Sequence, residues 1–210
     1  MSEVLDLLKK AVEMLEEAEN DEVEELEEVI DGCELSTLKP GEVFKIGEHD
    51  FIVLEQKDGT TAVISKDLMA KNKKFDDDTR YYNASSLKKL IESEIQPIIE
   101  NSVGADNLVE HEVDLTSMDM QNEFGTCTCK VRPITFDEAR KYNNLLVAKD
   151  IGDWWWTCTP WCAAGRGWEY GISVVCPSVS FNYLVYYYYC GVRQFCILKS
   201  NIFVSRGEQE

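Results

Sequence analysis

Histidine is nearly missing from this chain, with His49 and His111 the two copies among 210 residues. The sequence also holds no HExxH pairing for a catalytic zinc, no GxSxG nucleophile elbow, no phosphate-cradling Gly-rich loop and no dinucleotide fingerprint. Each absence removes an enzyme class, so the expectation is a non-enzyme with no catalytic residue, no cofactor and no metal. Basic residues are scarce as well: 21 Lys and Arg stand against 39 Asp and Glu, a formal net charge of −18. Phosphate contacts require clustered cations, which argues against nucleic acid or an anionic membrane surface as a partner. No hydrophobic run reaches the roughly 18 residues of a membrane span. The opening MSEVLDLLKKAVEMLEE places acids where an export signal carries a basic and then an apolar region. These features predict a chain made in the cytoplasm without membrane insertion, whose final place is there, on a virion or at a cell surface.

Cysteine, by contrast, is abundant at eight copies. Without an export signal these read as reduced thiols serving as small hydrophobes. Cys127 and Cys129, one residue apart, share one face of a strand but fall short of zinc-ligand spacing. Cys158, in WTCTPW, has no neighbouring base or cation to make it a nucleophile and reads as core. Asp76, Asp77 and Asp78 lack the spacing and the glycine of a calcium loop and read as a solvated turn.

Apolar periodicity sets the organisation. Val4, Leu8, Ala11, Leu15 and Ala18, then Val23, Leu26 and Ile30, predict a helical prefix over residues 1–34, either packed on the body or serving as a helical hairpin or short oligomerisation helix for self-assembly or docking. Residues 38–205 form the main domain. Short strands are expected at Val43–Ile46, Phe51–Leu54 and Thr61–Ser65, with an Asp58-Gly59 hairpin turn. A polar loop, KNKKFDDDTRYYN, precedes a helix capped by Ser85 or Ser86 and ended or kinked at Pro97. Thr135 and Glu138 form a capping box for a second helix. The aromatic tail from Trp154 reads as strands and loops, giving an α+β domain with two helices and a mainly antiparallel sheet in which the N- and C-terminal strands meet.

Between Tyr170 and Arg193 the chain reads YGISVVCPSVSFNYLVYYYYCGVR, without a single Lys, Glu, Gln, Met or Trp. At WWWTCTPW, RGWEY and GVRQFCILKSNIF the chain resembles variable proteins of diversity-generating retroelements, which share a C-type lectin-like fold. PGEVFKIGEHDFIVLEQ and DLMAKNKKF look like the opening of the formylglycine-generating-enzyme-type subgroup, so the resemblance extends over most of residues 38–205. In that family a reverse transcriptase mutates adenines of a template repeat, and the copy replaces a variable repeat in the target gene. An AAY codon randomised at its first two bases cannot encode Lys, Glu, Gln, Met or Trp, the five types missing here. The resemblance implies a variable region at about 161–190. Its candidate ligand-binding positions are Cys162, Ala163, Ala164, Gly165, Gly171 and Ser173, then Val179, Ser180, Asn182, Tyr183, Leu184, Val185, Tyr186, Tyr187, Tyr188, Tyr189 and Cys190. Framework is implied at Trp155, Trp156, Trp168, Val192, Arg193, Phe195 and Ile197, with Arg193 bonding backbone carbonyls. Gln194 departs from the Pro that commonly follows GVR in related sequences.

Tyrosine supplies stiff amphipathic contact area at low entropic cost, so FNYLVYYYYC suits a surface that binds a protein ligand. The competing reading makes Tyr186–Tyr189 a buried strand with two rings in the core and two on the surface. The calcium-ligating EPN or QPD and WND motifs of sugar-binding lectins are absent. Two alternatives to a receptor-type module are a formylglycine-generating-enzyme-like cysteine enzyme and a phage tail-associated structural module.

Overall fold

The computed structural model describes residues 32–147, 151–163, 165, 170–177, 181–186 and 188–207, with backbone alone at Val147, Tyr183 and Val185. The helical prefix therefore lies outside the described residues except at its end, where Gly32–Glu34 is a strand, not helix. In chain order the strands are β1 (Gly32–Glu34), β2 (Val43–Ile46), β3 (His49–Lys57), β4 (Thr60–Ser65), β5 (Ala70–Lys74), β6 (His111–Asp114), β7 (Thr126–Cys129) and β8 (Val131–Arg132). The later ones are β9 (Trp155–Pro160), β10 (Gly171–Val175), β11 (Phe181–Val185), β12 (Tyr189–Val192), β13 (Phe195–Lys199) and β14 (Phe203–Ser205). Helix α1 (Ser86–Leu90) passes through a π turn (Ile91–Ile95) into α2 (Gln96–Val103); α3 (Phe136–Lys141) and α4 (Asn143–Val147) follow β8.

The chain is α+β, built from two five-stranded sheets, β2-β3-β4-β13-β8 and β11-β10-β9-β12-β5, with two small ribbons, β1-β14 and β6-β7. Nearly every pairing is antiparallel; β12 with β9 is the parallel contact. The ends of the domain meet as the strand pattern predicts, because β13 is zipped to β4 from Phe195↔Ile64 to Lys199↔Thr60, while β1 pairs with β14. Asp58 and Gly59 both take positive φ, 51° and 75°, as a two-residue hairpin of this kind requires.

Side chains alternate across the first sheet into two cores. Phe44, Phe51, Val53, Val63, Cys196 and Leu198 join Leu87, Ile91, Ile95 and Ile99 of the α1–α2 helix, together with Trp156, Cys158, Ile172 and Val174 of the second sheet. Val43, Ile52, Leu54, Ile64 and Phe195 point the other way, onto Ala139, Tyr142 and Leu146 of α3 and its continuation and onto Trp155 and Val175. Strand β13 is thus covered on both faces.

Two local expectations change. The stretch read as a polar loop, KNKK, is strand: Lys73 pairs with Cys190 and Lys74 with Tyr189. Pro97 does not end its helix. The N–H of Gln96 reaches back five residues to the Ile91 carbonyl, and this wide turn absorbs the donor that proline lacks. Ser85 caps α1 by accepting from Lys88 N, and Thr135 with Glu138 forms the predicted reciprocal box at the start of α3.

Candidate functional site

The second sheet is held by its tryptophans. Trp156, wholly buried, lies edge-on to Phe75 at 5.7 Å and donates from Nε1 to the Lys73 carbonyl at 2.8 Å, which ties β5 to the core. Trp155 packs on the opposite side beneath the Arg193 guanidinium, 5.2 Å from the ring centroid. Arg193 is 1% exposed and donates from Nε to the Ser65 carbonyl at 2.6 Å, the carbonyl-anchoring role expected of it, and this bond links the exit of β12 to β4 of the first sheet. A Cβ at Gly191 would lie 2.4 Å from Leu68 Cδ1, so a larger residue there would oblige the Leu68 side chain to move.

Upon this frame sits a cluster of exposed tyrosines. Tyr170, Tyr188 and Tyr189 are 53%, 52% and 62% exposed. Tyr186, half-buried, meets Tyr170 edge to face at 5.9 Å, and its carbonyl accepts from the N–H groups of Phe75 and Asp76. The Lys74 ammonium lies 5.6 Å from the Tyr189 ring and is paired with Asp77. Within the run Tyr188 and Tyr189 are thus exposed and Tyr186 is half-buried rather than in the core, while Tyr187 lies outside the described residues. Asp76 braces its underside by accepting from the backbone of Asp78, Thr79 and Ser86 and from the Ser86 hydroxyl. Burial alone would raise the Asp76 pKa, but these four donors hold it below its ordinary value. The three aspartates thus form a turn braced by hydrogen bonds.

The other candidate positions divide by burial. Asn182 and Gly165 are exposed and Leu184 is partly so. Gly171, Ser173 and Cys190 are buried, which corrects their placement on the contact surface. Ser173 is fully enclosed and bonds the Thr157 hydroxyl and the Thr159 carbonyl, holding β10 to β9. Cys162 and Ala163 are also buried, at 4% and 9% exposed, with the Ala163 N–H on the Asp119 carboxylate. Ala164, Val179, Ser180 and Tyr187, and framework Trp168, lie outside the described residues, as do the side chains of Tyr183 and Val185. Two contributors escaped the sequence reading. Tyr170 stands at the edge of the depleted segment, which was its signal, whereas Lys74 sat in a stretch mistaken for loop.

Nucleophilic chemistry finds little support in this arrangement. Cys158 is completely enclosed, and burial pushes its thiol up to about 12, so it is protonated at neutral pH. Burial likewise lifts Cys190 and Cys196 to about 12. Cys127 is the exception among the shifted thiols: a hydrogen bond with Cys129 lowers it, while Cys129 is raised. No group of three or more His, Cys, Asp or Glu among the described residues is placed to hold a metal ion. No described helix is long and apolar enough to cross a membrane.

Beside α3 lies a polar network that sequence did not foretell. Arg132, 2% exposed, forks onto Glu138 with bonds of 2.7 and 2.6 Å, stacks 4.2 Å from the Phe195 centroid and donates from Nε to His111 Nε2 at 3.0 Å. His111 must therefore be unprotonated at Nε2 and donate from Nδ1 to the Val109 carbonyl. Comparison with known proteins adds nothing to this description: no protein family, no curated protein and no solved structure matches the chain.

Proposed function

We propose that this chain is a diversified receptor-type module, a C-type lectin-like scaffold whose variable surface at about 161–190 is rewritten by a retroelement and binds a protein ligand. The observation that carries the reading is the coincidence of two independent properties. Residues 170–193 contain only types that a randomised AAY codon can encode, and Tyr170, Tyr188 and Tyr189 of that segment are the three exposed tyrosines of the described fold. Tyrosine is the residue that adaptable binding surfaces favour, and exposed rings here suit contact with a partner. Rigid anchors, Trp156 bonded to the Lys73 carbonyl of β5 and Arg193 bonded to the Ser65 carbonyl of β4, suit a surface whose side chains change while its backbone stays put. In this reading the module has no enzymatic role, needs no cofactor or metal, avoids nucleic acid and is made in the cytoplasm.

The formylglycine-generating-enzyme-like alternative needs a pair of cysteines near a groove with Cys158 as its reactive member, and an enclosed, protonated Cys158 does not favour it. The deciding experiment is genomic. Sequencing the neighbourhood of the gene is expected to reveal a near-identical repeat beside a reverse-transcriptase gene, with differences confined to adenines of the template. A neighbourhood with no such repeat overturns the proposal.

A further inference from the structure

The two edges of the second sheet are built in opposite ways. One edge, β5, reads Ala-Lys-Asn-Lys-Lys, takes a left-handed turn at Asn72 (φ 53°) and breaks register against β12 between Cys190 and Val192. Lysines and bulges are the usual guards that stop a sheet from recruiting another strand. The opposite edge, β11, reads Phe-Asn-Tyr-Leu-Val, without charge or proline, and runs in unbroken register from Gly171↔Val185 to Val175↔Phe181.

Register shows which backbone groups this edge presents. Tyr186 N donates to Tyr170 O, so the bonded pairs of the ladder continue at Leu184↔Ile172 and Asn182↔Val174. The N–H and C=O groups of Phe181, Tyr183 and Val185 therefore turn away from β10. Among the described residues, β11 is a terminal strand of its sheet. Trp161 N on Gly171 O, and the Thr157 hydroxyl on Ser173 O, confirm the parity from the other side of β10.

We infer that the outer edge of β11 takes up an extended segment of the protein ligand as an added strand. The chemistry of the edge names its occupant: alternating donors and acceptors at strand spacing are matched by another extended backbone. Main-chain bonds are indifferent to side-chain identity, so this docking survives every substitution within β11 short of proline, while the changing side chains set which segment fits. The inference rests on the ligand-binding reading and specifies how that surface engages.

The test uses a phage-displayed library of linear heptapeptides panned against the full chain, with the recovered peptide synthesised and titrated against variants. Tyr183→Pro deletes an outward N–H without touching a bond to β10, whereas Tyr183→Thr changes the side chain and keeps the backbone. Proline is expected to weaken peptide binding by about tenfold or more, the equivalent of roughly 1.4 kcal/mol, and threonine by no more than about threefold. If Tyr183→Pro does not fold, amide exchange on the wild-type complex decides: new protection at 181, 183 and 185, absent at 182 and 184, supports the edge. Peptides lost equally with both substitutions, or only on replacing Tyr188 and Tyr189, leave the receptor reading intact and overturn the edge. Self-association abolished by Tyr183→Pro assigns the edge to a second copy and also overturns the inference. Peptides indifferent to every substitution in the window, or no peptide at all, overturn both readings.

Discussion

Replacing Glu138 with alanine exposes how much of the scaffold depends on one carboxylate. Glu138 neutralises Arg132 through two short bonds and also accepts from the Thr135 N–H and hydroxyl at the start of α3. Arg132 cannot escape to solvent, being 2% exposed, so truncation leaves a buried guanidinium unneutralised. Breaking such a pair costs about 3–5 kcal/mol. Glu138 itself retains 26% side-chain exposure, which admits water to the vacated site and places the cost near the lower bound, about 3 kcal/mol with the cap included. For a domain of this size that is a fall of roughly 6–12 °C in Tm. Urea unfolding at pH 7 with a calorimetric scan measures both quantities. The double replacement Arg132→Met with Glu138→Leu is expected to be less damaging than Glu138→Ala, because no charge is then stranded. A loss below about 1 kcal/mol for Glu138→Ala, or a double variant worse than the single one, refutes the assignment of the pair as the charge anchor of this face.

Burial, followed by the charge of Arg132, lowers the His111 pKa below 6.5, with Glu138 and Glu110 opposing. Its contribution to stability is therefore complete above pH about 6.5 and drains away as pH falls toward the lowered value. The loss should appear in unfolding curves between pH 7 and 5 and vanish in His111→Gln. The Gln194 side-chain amide is wholly buried, and among the described residues neither Oε1 nor Nε2 has a hydrogen-bond partner. Gln194→Leu should accordingly raise stability by about 1–2 kcal/mol in urea titration, and a loss would show that the amide is satisfied by bound water. Tyr188→Ser and Tyr189→Ser are expected to change stability by less than about 0.5 kcal/mol, whereas Ser173→Val, which removes the donor to the Thr159 carbonyl and overfills an enclosed site, costs about 2 kcal/mol or more.

Local chemistry was the most legible part of this chain. Asp58-Gly59 announces a hairpin because both positions require positive φ, and Thr135 with Glu138 announces a helix start because each satisfies the other's orphan donor. What stayed hidden depends on distant partners. Lys71–Lys74 look like loop because lysine guards an edge strand, and their pairing with β12 is settled more than a hundred residues later. Pro97 reads as ending or kinking its helix, and the sequence does not choose between them without the π turn before it. Codon arithmetic marks which residue types are permitted between 170 and 193 but is silent on exposure, which is why Ser173 and Cys190 look like surface and prove to be core. Arg132 gave no warning of its place in the core either, since a lone arginine in KVRPI becomes a buried anchor only when Glu138, His111 and Phe195 converge on it.

The central claim is that side chains in one window are rewritten while the frame beneath them is kept. Sequencing this locus across sibling copies tests it most directly. The account predicts substitutions concentrated at Tyr183–Tyr189, all drawn from the AAY-derived set, with Trp168 and Arg193 unchanged. Substitutions spread evenly over both groups, or Lys, Glu, Gln, Met or Trp arising within the tyrosine run, would contradict it.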